Sequence, residues 1–95
     1  MASNTKKKLK NNIKKIYKEQ LNSDMETTVN VMYGENKLFI YTNKVDLQKQ
    51  LNKLIGKPIK EYKIKRSIGG SLWEIALDDK IKIQKVIVKA NIYEL

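Results

Sequence analysis

Twenty lysine and arginine residues face ten acids, a net charge of +10 on 95 residues. These charges must stay in water, so any fold of this chain draws its core from short apolar stripes between them. The chain is 41% hydrophobic. That supplies one modest core and one domain, marginally stable unless the chain self-associates. The excess is uneven: Lys6, Lys7, Lys8, Lys10, Lys14, Lys15 and Lys18 all lie in the first eighteen residues. Such a surface attracts polyanions, and nucleic acid is the first partner to consider. Lysine, asparagine and isoleucine are abundant and Arg66 is the only arginine. That usage fits an AT-rich genome and accounts for part of the lysine count, but not for its excess over acids.

The chain has no cysteine and no histidine. Disulfides, thiolate chemistry, the usual zinc ligands and the usual general base are therefore missing. The expectation is a non-enzymatic protein with no metal and no cofactor. No apolar run approaches the ~18 residues of a membrane span. The basic start is not followed by the apolar stretch of a signal peptide. A cytoplasmic, reducing location is expected, with no membrane partner.

Hydrophobic periodicity divides the chain. Residues 1–4 are expected to be disordered, and residues 5–95 to form a single α+β domain. Leu9, Ile13, Ile16, Tyr17 and Gln20 fall on one stripe of a 3.6-residue period, which predicts a helix from Thr5 ended by Asn22-Ser23-Asp24. Val29, Val31 and Tyr33 alternate against polar neighbours and predict a strand. Gly34-Glu35-Asn36 is a turn, and residues 37–42 (KLFIYT) return as a second strand. Asn43, with Asp46 three residues on, reads as the cap of a helix whose stripe is Leu47, Leu51, Leu54 and Ile55. Gly56 and Pro58 stop that helix. Residues 59–66 alternate again. Ser67-Ile68-Gly69-Gly70 reads as a flexible tip, residues 71–77 as a strand and Asp78-Asp79 as a tight turn. Residues 80–93 read as a long final strand. Its phase slips from Ile81 and Ile83 to Val86, Val88, Ala90 and Ile92, which places a bulge at Gln84-Lys85. The predicted order is α-β-β-α-β-β-β: two amphipathic helices on one antiparallel sheet of about five strands. The long final strand, pairing at an edge, would allow a homodimer.

Three surfaces are candidates for function. On the first helix, Lys7, Lys14 and Lys18, with Lys8 and Lys15 beside them, would form a basic ridge opposite the apolar stripe. Such a ridge neutralises successive phosphates, although it also suits an ordinary solvated face. The second is the hairpin bearing Lys63, Lys65 and Arg66, with Gly69 and Gly70 at its tip. A basic hairpin acts as a wing across a groove; glycine permits close backbone approach, and arginine grips phosphate or enters a narrow minor groove. The competing reading is a loop that needs glycine for its turn. On the third, Phe39 and Tyr41 share one face of a strand, where aromatics either stack on unpaired bases or pack in a core. Trp73 reads as core, and Lys85 and Lys89 as edge protection.

These features favour a non-enzymatic nucleic-acid-binding protein, with duplex DNA preferred, of the kind that serves a plasmid, phage or other mobile element. No known module fits: strands separate the two predicted helices, and neither an RNP-type aromatic motif nor a KH-type GxxG loop is present.

A second reading is catalytic. Gly56-Lys57-Pro58-Ile59-Lys60, Tyr62-Lys63-Ile64-Lys65, Trp73-Glu74-Ile75, Asp78-Asp79-Lys80-Ile81 and Ile92-Tyr93-Glu94 loosely resemble the C-terminal half of RelE/ParE-type toxins. The resemblance covers about forty residues. It implies ribosome-dependent mRNA cleavage by basic residues and a tyrosine. The chain departs from that family in lacking the preceding long helical pair, and in placing Leu72-Trp73-Glu74 where a basic residue is expected. A third reading is a protein-binding module that docks on an acidic host protein.

Overall fold

In the computed structural model, residues 15–90 are described. They form four strands and two helices: β1 Thr27–Met32, β2 Lys37–Thr42, α1 Val45–Leu54, β3 Lys60–Ile64, β4 Ser67–Ala76 and α2 Lys80–Lys89. The sheet is antiparallel throughout, in the order β1-β2-β4-β3.

The register gives the sheet two unlike faces. Leu38 stands opposite Ile75, Ile40 opposite Trp73 and Thr42 opposite Ser71. These residues share the face on which both helices lie. Ile40, Leu47, Leu51, Trp73, Ile75, Val86 and Ala90 form the core, with Leu38, Leu54, Ile55 and Ile83 packed against it. Trp73 is fully buried, and its indole N–H donates to the carbonyl of Gly56 at 2.9 Å. That carbonyl is one of the acceptors left over past the end of α1. Gly56 itself has φ +110°, the left-handed ending its position predicts. Beneath the sheet, Ser71 Oγ donates to Oε1 of the buried Gln48 at 2.7 Å.

The β1–β2 hairpin, α1 with its glycine stop, and the β3–β4 hairpin follow the sequence expectations in outline. Four points do not. Residues 15–21 contain no α-helix. β4 runs past the end of β2, which leaves Ile68 without a strand neighbour on that side. Ile16–Lys18 fills the place: Ile68 N donates to Ile16 O at 2.7 Å and Lys18 N to Ile68 O at 2.9 Å. Tyr17 turns towards α1 and accepts from Asn52 Nδ2 at 2.8 Å, while Ile16 is 63% exposed. Non-local pairing has overridden a helical spacing. Residues 5–14 of the expected helix lie outside the described residues.

Residues 80–89 of the expected final strand form a helix and residues 91–93 lie outside the described residues, so the described sheet has four strands and Gln84-Lys85 carries no bulge. Ile83, Val86 and Ala90, which looked like slipped alternation, fall at i, i+3 and i+7 and face the core. The isoleucine and valine content suggested a strand, but burial decides. Asp79 caps the helix, its Oδ1 accepting from Lys82 N at 3.1 Å. Replacing Asp79 with alanine is expected to cost about 1 kcal/mol in chemical denaturation, while the exposed Asp78→Ala leaves stability unchanged.

Asn43 does not cap α1. Its Oδ1 accepts from Glu26 N at 2.7 Å and its Nδ2 donates to Asp24 O at 2.8 Å, tying the entry of β1 to the exit of β2. Finally, the only register irregularity of the described sheet falls between Tyr62 and Lys63, where Gly69 is the extra residue on β4.

Candidate nucleic-acid interface

β4 is ten residues long, and only its last six pair with β2. Ser67, Ile68, Gly69 and Gly70 therefore carry the β3–β4 hairpin about 13 Å past the end of β2, at about 3.3 Å per residue. The ladder closes at Ile64 opposite Ser67, so the connection is the two-residue turn Lys65-Arg66. Lys65 takes φ +57°, a conformation usually given to glycine. Lys60, Lys63, Lys65 and Arg66 are all exposed.

Gly69 and Gly70 are not at the tip. They are buried within β4. A Cβ at Gly69 would lie 2.6 Å from Ile64 Cδ1, and one at Gly70 would lie 2.6 Å from the Tyr41 hydroxyl oxygen. Glycine serves here to let side chains cross the bulged ladder, not to admit a ligand. The turn chemistry is carried by Lys65, a position that propensity would not select.

The extended N-terminal segment runs beside this hairpin and brings Lys15 and Lys18 to it. Lys15 Nζ sits 2.8 Å from Glu61 Oε2, and Lys18 is exposed next to Ile68. Residues 15–20 and 60–66 together hold six cations against two acids, and one of those acids, Glu61, is taken up by Lys15. Lys15 and Lys18 of one expected group thus join the other, on an extended segment and not on a helix. Lys7, Lys8 and Lys14 lie outside the described residues.

The second face of the sheet joins this region. It carries Phe39, Tyr41, Leu72, Lys60 and Tyr62, and neither α1 nor α2 covers it. Tyr41 and Tyr62 meet edge to face with centroids 5.6 Å apart. Lys60 Nζ lies 4.9 Å from the centre of the Tyr62 ring. Burial first, then the charge of Glu26 and the Tyr62 phenol, raises the Tyr41 hydroxyl above its ordinary pKa. Tyr41 therefore remains a neutral donor at physiological pH. Phe39 and Tyr41 are half-buried against their neighbours and Tyr62 is 39% exposed. A shallow depression between Thr28, Asn30, Phe39, Tyr41 and Leu72 opens to solvent. Sequence reasoning passed over Lys60 and Tyr62; their i, i+2 spacing on an alternating strand was the available signal.

Among the described residues, no helix is long and apolar enough to cross a membrane. The Asp78-Asp79-Lys80-Ile81 stretch that resembles a toxin strand turn opens α2 instead. No protein-family model, curated protein or solved structure matches the chain.

Proposed function

We propose that this chain is a non-enzymatic nucleic-acid-binding protein whose β3–β4 hairpin contacts duplex DNA. The observation that carries the reading is the β3–β4 hairpin that extends past the end of β2, flanked on one side by the extended Ile16–Lys18 segment and tipped by Lys65-Arg66, with Lys63 and Lys18 exposed along it. A two-stranded ribbon fits the major groove, and the tip of the hairpin beyond Ile68 is one. Lysines along its flanks set register on the phosphates, and a guanidinium at the tip supplies a planar donor fork. In this reading the protein is an accessory or regulatory factor of a plasmid, phage or similar element.

One observation favours single strands as a second reading. Phe39, Tyr41 and Tyr62 stand on a sheet face that neither α1 nor α2 covers, and bases stack on such faces. Titrating duplex DNA, single-stranded DNA and single-stranded RNA of equal length at one salt concentration separates the two. The hairpin reading predicts tightest binding to the duplex, and no loss when Phe39 is replaced by leucine. Preference for a single strand, with affinity falling by about tenfold for Phe39→Leu, transfers the function to the open face. Absence of binding to all three, with capture by an acidic protein, overturns both.

A further inference from the structure

β1 is an outer strand of the sheet, and among the described residues nothing pairs with its free edge. Asn43 N donates to Glu26 O at 3.1 Å, in line with the β1–β2 register. Antiparallel bonding repeats every second residue. The backbone groups of Thr28, Asn30 and Met32 therefore face β2, while the N–H and C=O of Thr27, Val29 and Val31 point outward. Natural sheets guard such edges with charge, proline or a bulge. The opposite edge, β3, has Lys60, Lys63 and the register shift after Tyr62. β1 reads TTVNVM and has none of these.

The helix layer also stops short of β1. An apolar groove of about 210 Å³ separates β1 from α2, lined by Val29, Val31, Ile83, Val86 and Ile87 among others. Val29 is 46% exposed, and on the outer side of α2 Ile81 and Val88 are 70% and 74% exposed.

We propose that this edge pairs with the β1 of a second copy of the chain, antiparallel about a two-fold axis. Two four-stranded sheets then join into one of eight. The outward ladder selects a strand as the occupant, because among protein partners a strand backbone is what matches a row of alternating donors and acceptors. The charge selects the place: two copies of a +10 chain repel, and they approach best along a strand that carries no charge. Antiparallel pairing about a two-fold axis keeps the same faces together. Val29 and Val31 of each copy then meet beneath the two α2 helices, and each groove is closed by its twin. An acidic peptide would need cations lining the groove, and its walls are apolar. The basic hairpin lies at the opposite edge and stays free in the dimer, so the proposal stands independently of the nucleic-acid reading. The edge involved is β1, because residues 80–89 of the final segment expected to pair are helical.

Sedimentation equilibrium of the full chain at concentrations on the order of 100 µM is expected to give twice the 11.1 kDa chain mass. Val29→Lys, which places a charge on the edge, is expected to give the single-chain mass with an unchanged circular dichroism spectrum. In the unaltered protein, the amides of Thr27, Val29 and Val31 should exchange slowly at high concentration and faster on dilution. That exchange measurement decides the matter alone if Val29→Lys fails to fold. A single-chain mass at every concentration overturns the proposal. So does a dimer in which those three amides exchange freely. Protection that does not change on dilution also overturns it, since the edge is then covered by the chain's own terminal segments.

Discussion

Reversing the hairpin charge, with Lys63, Lys65 and Arg66 all changed to glutamate, is expected to weaken duplex DNA binding at least a hundredfold. Each cation in contact with a phosphate contributes about 1 kcal/mol at the surface, and reversal replaces attraction with repulsion of similar size. Three reversals thus remove several kcal/mol, and 1.4 kcal/mol is a factor of ten. The same change should leave folding nearly untouched. All three residues are exposed, and none of them forms an ion pair with a described acid. The control is Lys85→Glu with Lys89→Glu on α2, which should reduce affinity only slightly, through net charge. If the hairpin variant keeps its circular dichroism spectrum and binds as tightly as the parent, the overhang is only a connection between two strands.

Trp73→Ala is expected to have the largest effect on stability, a loss of about 3–5 kcal/mol. The ring sits opposite Ile40, belongs to the same core cluster as residues of α1 and α2, and is fully buried. Its removal opens a cavity at the junction of the sheet and helix layers. It also takes the indole donor from the Gly56 carbonyl just past α1. Set against the low end of the roughly 5–15 kcal/mol range, where so small a domain belongs, that loss leaves it near its melting point at physiological temperature. Trp73→Phe keeps most of the volume and removes the hydrogen bond, so a smaller cost of about 1–2 kcal/mol is expected. Trp73 is the only tryptophan, so melts of these variants must be followed by circular dichroism. A Trp73→Ala protein that melts within a few degrees of the parent would mean that the core is organised elsewhere.

What the sequence discloses and what it hides divide by range. The two hairpins and α1 were legible because alternation, turn residues and the Gly56–Pro58 stop are local signals. Residues 15–21 were not. Their helical spacing is real, but the backbone of Ile68, some fifty positions away, competes for them and wins. α2 was misread because isoleucine and valine suit strands by propensity, while Asp79 and the i, i+3, i+7 set of Ile83, Val86 and Ala90 specify a helix. The candidate interface shows the same division. Lys63, Lys65 and Arg66 stand exposed on a hairpin, as their pattern suggests. The turn, however, falls at Lys65-Arg66 and not at the glycine pair, because the crowding of Ile64 and Tyr41 that requires Gly69 and Gly70 is invisible in one dimension. That Lys15 and Lys18 join this hairpin depends on the same long-range pairing that displaces the expected helix.

The salt dependence of affinity for duplex DNA tests the nucleic-acid reading most directly. With about four phosphates neutralised by Lys18, Lys63, Lys65 and Arg66, log K against log salt should fall with a slope of roughly −3.5 to −4. The triple hairpin variant should lower the magnitude of that slope by about 3, because three of those phosphates keep their counterions. A slope near zero for the parent protein, or an equally steep slope for the variant, would contradict the nucleic-acid reading and remove the hairpin from the interface.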